Sequence, residues 1–131
     1  MRRRFKFKLP PTGNHRLVPI KVNGKIRLAT APKMRAWKKE AIASLEGAEP
    51  ITTLLGYRID LYVWWPDRRK RDLDGPVKVI FDALVKAGVI SDDAEIRYFS
   101  VEDMSTQRQG DDIEPGIDAY VQTVEDWENP F

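Results

Sequence analysis

Polar and apolar positions along this chain alternate with a strand's period in several stretches, and between them the period lengthens to that of a helix. Phe5, Phe7 and Leu9 alternate with Arg4, Lys6 and Lys8, which predicts a strand with one buried face. Pro10 and Pro11 end it, and PTGNHR, residues 11–16, reads as loop by composition. In the run IKVNGKIRL, Asn23 and Gly24 sit between two short alternating flanks. Asn-Gly supplies the two positive φ angles of a type I′ turn, so a hairpin is expected, with Lys21, Lys25 and Arg27 making it a basic flap. Thr30 can cap a helix that has Pro32 in its first turn, Met34, Trp37, Ala41 and Leu45 along one face, and Gly47 at its end. The other side carries Lys33, Arg35, Lys38 and Lys39, which read equally well as a solvated face or as contacts to a polyanion.

Further on, YRIDLYVWW sets Tyr57, Ile59, Leu61, Val63 and Trp65 against Arg58, Asp60, Tyr62 and Trp64. Aromatic residues on both faces suggest a central strand, or one with a side exposed to a partner. Val77, Ile80, Phe81, Leu84 and Val85 then recur at helical spacing. Gly75 is the expected cap and Pro76 the first helical residue, because the residue before a proline avoids the helical region; Gly88 ends the helix. Ile96–Val101 and Ile117–Val124 read as strands flanking the polar loop STQRQGDDIEPG, and the tail EDWENPF as a loose end or a docking segment. The expected architecture is a single domain over residues 1–131 of the α/β or α+β class. It would have a mixed sheet of about four to six strands, including the N-terminal hairpin, with two main helices.

Composition narrows the chemistry. The chain contains no cysteine, which excludes a disulfide framework, a thiolate zinc site and a cysteine nucleophile, and fits a reducing, cytoplasmic setting. No apolar run approaches the roughly 20 residues that span a bilayer, and no membrane partner is expected. The opening MRRRFKFKLP alternates charge with Phe instead of continuing into an apolar stretch, so it reads as mature structure and not as a signal peptide. Net charge is only +2, yet residues 1–91 carry 20 Lys/Arg against 8 Asp/Glu (+12) and residues 92–131 carry 2 against 12 (−10). A basic portion of that strength attracts polyanions by counterion release, and the acidic portion is expected away from the polymer or against a basic surface of its own protein.

The densest chemistry lies in PDRRKRDLDGPVKVIFDALVKAGVISDD, residues 66–93. Arg68, Arg69, Lys70 and Arg71 run into Asp72 and Asp74, and a helix length later come Asp92 and Asp93. Two acidic pairs brought together by a helical excursion can hold a hard divalent ion, which prefers oxygen ligands and keeps part of its water shell; the basic run would lay a polyanion over it. The aspartates would lie just before a helix N-terminus, a positive dipole end with free amides. Lys78, in the first turn, would reach back over Asp72 and Asp74. Structural readings compete for each residue alone: a turn at Asp72, a cap at Asp74, a turn into the next strand at Asp92 and Asp93. They leave the adjacent basic run and Lys78 unexplained. An EF-hand starting at Asp72 would need glycine at Val77 and glutamate at Ala83. An aspartyl-nucleophile phosphatase would have an apolar strand leading into its Asp-x-Asp-Gly, where this chain has four cations.

Residues 66–96 resemble the RusA family of Holliday-junction resolvases, through the ordered run PDRR, RDLD, Lys78, FDAL, KAG and DD; a weaker likeness covers KLPPTGNHR near the start. The resemblance implies a small homodimeric endodeoxyribonuclease, often prophage-borne, that uses magnesium (manganese can substitute) to cut branched, four-way DNA junctions with paired nicks. Carried over by position, the essential carboxylates and metal ligands are Asp72, Asp74 and Asp93, and the essential lysine is Lys78. Asp92 matches an acidic position of lesser standing. Arg68, Arg69, Lys70, Arg71 and Asn14 are the expected nucleic-acid-binding residues. Where the family usually has Asn after the second aspartate, this chain has Gly75. The alternative is a non-catalytic or degenerate module that binds branched DNA without cutting it.

Overall fold

The strand Tyr57–Trp64 (β4) is the centre of the molecule, and its alternation explains why. Tyr57, Ile59, Leu61 and Val63 are at most 1% exposed, and β4 has a partner along each edge. The computed structural model describes residues 2–11, 17–30, 32–66, 73–105 and 114–127, with side chains at all of these except 17, 18 and 27–30. Arg3–Phe7 (β1), β4, Ile96–Asp103 (β5) and Gly116–Thr123 (β6) form a four-stranded sheet in the order β1-β6-β4-β5. β6 runs antiparallel to both β1 and β4, and β4 and β5 are parallel. Leu17–Val22 (β2) and Lys25–Thr30 (β3) make a separate two-stranded hairpin. Its turn residues Asn23 and Gly24 have φ of 51° and 79°, as a type I′ turn requires. The expected mixed sheet, hairpin and pair of helices are therefore present, and the class is α+β.

Both helices, Pro32–Ser44 (α1) and Asp74–Lys86 (α2), contribute to one core cluster. Met34, Trp37, Ala41 and Leu45 are buried, the face foreseen from their spacing. Val79, Ile80, Phe81, Ala83 and Leu84 do the same for α2, and meet Ile117, Ala119 and Val121, which stand opposite Val63, Leu61 and Ile59. Side chains of this size contribute about 1.5–3 kcal/mol each when fully buried, so the stripe on α2 outweighs any propensity effect in placing that helix. Trp37 adds a directional tie, its indole N–H donating to the Lys8 carbonyl at 2.9 Å.

The start of α2 differs from expectation. The helix begins at Asp74, after Leu73 as N-cap with no side-chain cap bond, so Gly75 and Pro76 lie inside the first turn. First-turn amides have no intrahelical acceptor, so proline fits beyond the first position. The restriction on a residue before proline acts partly through its Cβ, which Gly75 lacks. Thr30, the expected cap of α1, is the last residue of β3, and its side chain is not among those described. The end of α2 is as foreseen. Gly88 has φ 78°; Val89 N–H donates to the Leu84 carbonyl at 2.9 Å and Gly88 N–H to that of Val85 at 3.0 Å, which is the paired bonding of a Schellman turn.

The acidic portion of the chain docks instead of trailing. Asp118 on β6 pairs with Arg4 on β1 at 3.0 Å. Glu125 accepts hydrogen bonds from the Thr53 hydroxyl and the Leu54 and Leu55 amides. Trp127 lies under Arg58, 4.3 Å from guanidinium carbon to ring centre, and edge-on to Tyr98. The docking alternative thus holds for Glu125–Trp127, and residues 128–131 lie outside the described residues.

Those donors, the Thr53 hydroxyl first and the Leu54 amide next, pull the Glu125 carboxyl down to about 2 from 4.5. A lowered carboxyl stabilises the fold above its unfolded value of 4.5, and that contribution is lost as pH falls through about 2. An NMR titration should place the Glu125 midpoint near 2, and Glu125→Gln should speed amide exchange at Leu54 and Leu55. A midpoint near 4.5 would show that the latch does not form in solution.

Candidate active site

A parallel neighbour for β4 cannot be reached by a tight turn, so the chain crosses over through α2 before returning as β5. Asp74 is exposed at the first position of α2, and Lys78 follows four residues later on the same side, about 6 Å along the axis. After the glycine turn the chain comes back alongside α2 and forms a short 3-10 turn, Asp93–Glu95, capped by Asp92. The Asp92 carboxylate accepts from the Ala94 amide at 3.0 Å. Its role there is the structural one that sequence reasoning had weighed.

That return brings Asp93 to Lys78. The ammonium donates to Asp93 Oδ2 at 3.0 Å and lies 3.8 Å from Asp82 Oδ1. Among the described residues its ion pairs are with Asp93 and Asp82 and not with Asp74; Asp72, the other aspartate it was expected to reach, lies outside the described residues. Asp82 had not been singled out, although its spacing of four from Lys78 on a helix was a readable signal.

Asp93 is held below the ordinary carboxylate value, first by the Lys78 hydrogen bond and next by the one with Asp92. Lys78 is pushed above the usual lysine value, first by its bond to Asp93 and then by the charges of Asp82 and Asp93. The pair is solvent-accessible, with side chains 69% and 36% exposed, so it positions charge more than it stabilises the fold. The described part of the crossover therefore offers an exposed carboxylate at a helix N-terminus and, beside it, a lysine held between two others. Asp72, Arg68, Arg69, Lys70, Arg71 and Asn14 lie outside the described residues. Among the described residues no three acidic or histidine side chains gather closely enough to share an ion.

Comparison with known proteins gives this arrangement a family. The model of the family described as Endodeoxyribonuclease RusA matches residues 8–114. The chain belongs to that family. Proteins named crossover junction endodeoxyribonuclease RusA from Escherichia coli and Shigella sonnei are 49% identical to it over 45 residues, 34% of this chain and 38% of theirs. The protein of that name from Enterobacteria phage 82 matches to the same extent. The chain thus spans 38% of the length of the RusA proteins it matches. No described helix is long and apolar enough to cross a membrane.

The ion pair has a direct test. Asp93 is lowered, so the pair's contribution is present above the ordinary aspartate range and is lost as pH falls through the lowered value. Lys78 is raised, so its share is present below 10.5 and lost as pH rises through the raised value. Replacing Lys78 with Met should move the Asp93 midpoint up towards 3.8, read by NMR titration of the carboxyl carbon. An unmoved midpoint would show that Lys78 does not touch Asp93 in solution.

Proposed function

We propose that this protein is a metal-dependent endodeoxyribonuclease that resolves four-way DNA junctions by phosphodiester hydrolysis. The observation that carries the reading is the meeting of Lys78 with Asp93, across the β4–α2–β5 crossover, in a chain of the RusA family. The donors described there, Asp74 and Asp93, are carboxylates, the ligand type that magnesium or manganese prefers. In chemical type they fit such an ion, and Asp72 would complete the set. When bound, the ion supplies Lewis acidity and lowers the pKa of the attacking water.

The chain's own residues account for the remaining work. Asp72, Asp74 and Asp93 fix where the scissile phosphate sits relative to α2. Lys78 places positive charge where the phosphate gains negative charge, in a position already set by Asp93. First-turn amides of α2 favour an anion at that end. Arg68, Arg69, Lys70, Arg71 and Asn14 hold the DNA backbone in register without reading bases. A homodimer acting in the cytoplasm would present one site to each of two symmetric strands, as paired incision needs.

One observation favours the second reading, a protein that binds branched DNA without cutting. Position 75, usually Asn in the family, is Gly75 inside the first turn of α2, so a capping role does not explain the usual residue.

Incubation with a synthetic four-way junction, a linear duplex and a flap, in magnesium or in chelator, separates the two. The expected outcome is magnesium-dependent cutting of the junction in preference to the others. Asp74→Asn should reduce cutting by roughly 10²–10³-fold or more while junction binding is kept or strengthened, because a negative charge is removed. Arg69→Ala should weaken binding and lower the salt slope by about 1. Tight binding with no cutting in any metal would establish the second reading, and equal cutting of all three substrates would remove the junction assignment.

A further inference from the structure

One element of the fold stands uncovered among the described residues. β2 and β3 pair with each other and with no other strand, and every residue from Pro19 to Ile26 is exposed. Ile26 is 78%, Ile20 41% and Val22 39% exposed, although an aliphatic residue in a strand ordinarily contributes to stability by being buried. The tip is equally open, since nothing lies within 4 Å of where a Cβ on Gly24 would stand. A lone two-stranded hairpin is marginal in water, so this ribbon gains stability from whatever covers it.

The apolar residues are divided between the two faces of the ribbon. Residues directly opposite each other share a face, and the register sets Lys21 against Ile26 and Val22 against Lys25. One face therefore carries Ile20, Val22 and Lys25, and the other carries Lys21 and Ile26. Each has an aliphatic patch beside a lysine. The surrounding charge is of one sign. No acidic residue precedes Glu40, and the hairpin leads into α1, where Lys33 and Arg35 are exposed. Like Lys21 and Lys25, they make no ion pair among the described residues. A second copy of the ribbon would bring cation to cation, so the charge selects a polyanion as occupant, and the aliphatic patches select one that offers apolar surface.

We infer that the Asn23–Gly24 hairpin is a wedge for the crossing point of branched DNA, with Ile20 and Val22 laid against one base-pair face and Ile26 against another. In a continuous duplex the bases are stacked on one another. Its grooves offer a ribbon phosphate walls and polar base edges, with the thymine methyl as the apolar contact. At a branch point the stacks end, so base-pair faces come within reach on either side of an inserted ribbon, ringed by phosphates that Lys21 and Lys25 can meet. Aliphatic side chains inserted between base steps hold DNA partly unstacked. Two apolar faces match a crossing, whereas a groove leaves one of them idle. The hairpin thus supplies a preference for branched over linear DNA that is separate from the carboxylates and lysine of the crossover.

This rests on the branched-DNA part of the proposed function and on none of its metal chemistry, so binding is read in chelator. The probes are a synthetic four-way junction with 2-aminopurine beside the crossing, whose emission rises when it unstacks, and a linear duplex of the same sequence. The native protein should prefer the junction and raise the emission. The triple variant Ile20→Thr, Val22→Thr, Ile26→Thr keeps β-branched residues, so its circular dichroism should stay native. It should lose about tenfold or more of the junction preference, leave the emission at that of free junction, and bind duplex as the native protein does. Lys25→Gln should instead weaken junction and duplex alike and leave the preference unchanged. A triple variant with native preference and native emission would overturn the wedge and leave the branched-DNA reading standing. A native protein without junction preference would overturn that reading and the wedge with it. A triple variant that sediments at lower mass than the native protein would assign the hairpin to contact between copies and likewise overturn the wedge.

Discussion

Parallel pairing of β4 with β5 is the constraint from which the rest follows. β4 has both edges bonded and one face sealed, so its next parallel neighbour has to be reached by a crossover long enough to span the sheet. That crossover is α2. Its apolar stripe, Val79, Ile80, Ala83 and Leu84, is pinned to the core, so its polar side must face outward. The polar side holds Asp74, Lys78 and Asp82, and the returning chain adds Asp93. Chemistry and packing are thus two faces of one helix, and the burial energy that fixes the first orients the second.

Much of this was legible because period and punctuation agreed. Asn23–Gly24, Gly47 and Gly88 mark turns, and all four residues have positive φ; the intervening periods identify which face is buried. β4 read as central because aromatics stood on both its faces, and it is central. The order β1-β6-β4-β5 was not legible. Strand alternation gives a buried face but not a neighbour, and the insertion of β6 between β1 and β4 depends on contacts more than fifty residues apart, such as Trp64 with Asp118. The helix start was also misplaced, since rules for proline assume a preceding Cβ that Gly75 does not have.

The candidate site was legible by residue type and only partly by geometry. Lys78 and Asp93 were singled out together and they meet, though they are fifteen residues apart in the chain. Lys78 engages a carboxylate brought in by the return segment, a contact that helical lean, a local preference, does not foretell. Asp82 escaped attention because an i,i+4 pair on an exposed face is ordinary and carries little energy. Only its convergence with Asp93 on the same ammonium gives it weight, and that convergence depends on the turn at Gly88.

The charge asymmetry also acquires a physical sense. Basic and acidic portions meet within the sheet, through Arg4 with Asp118, so part of the +12 and −10 is internal neutralisation. Glu125 departs from that pattern, spending its charge on neutral donors at Thr53, Leu54 and Leu55. That latch brings Trp127 to Tyr98 and Arg58, where it covers part of the sheet face opposite the helices near the start of β5. The same strand carries its aromatic Tyr98 and Phe99 towards opposite faces, one to Trp127 and the other to Phe81 on α2. β5 is consequently supported on both of its faces.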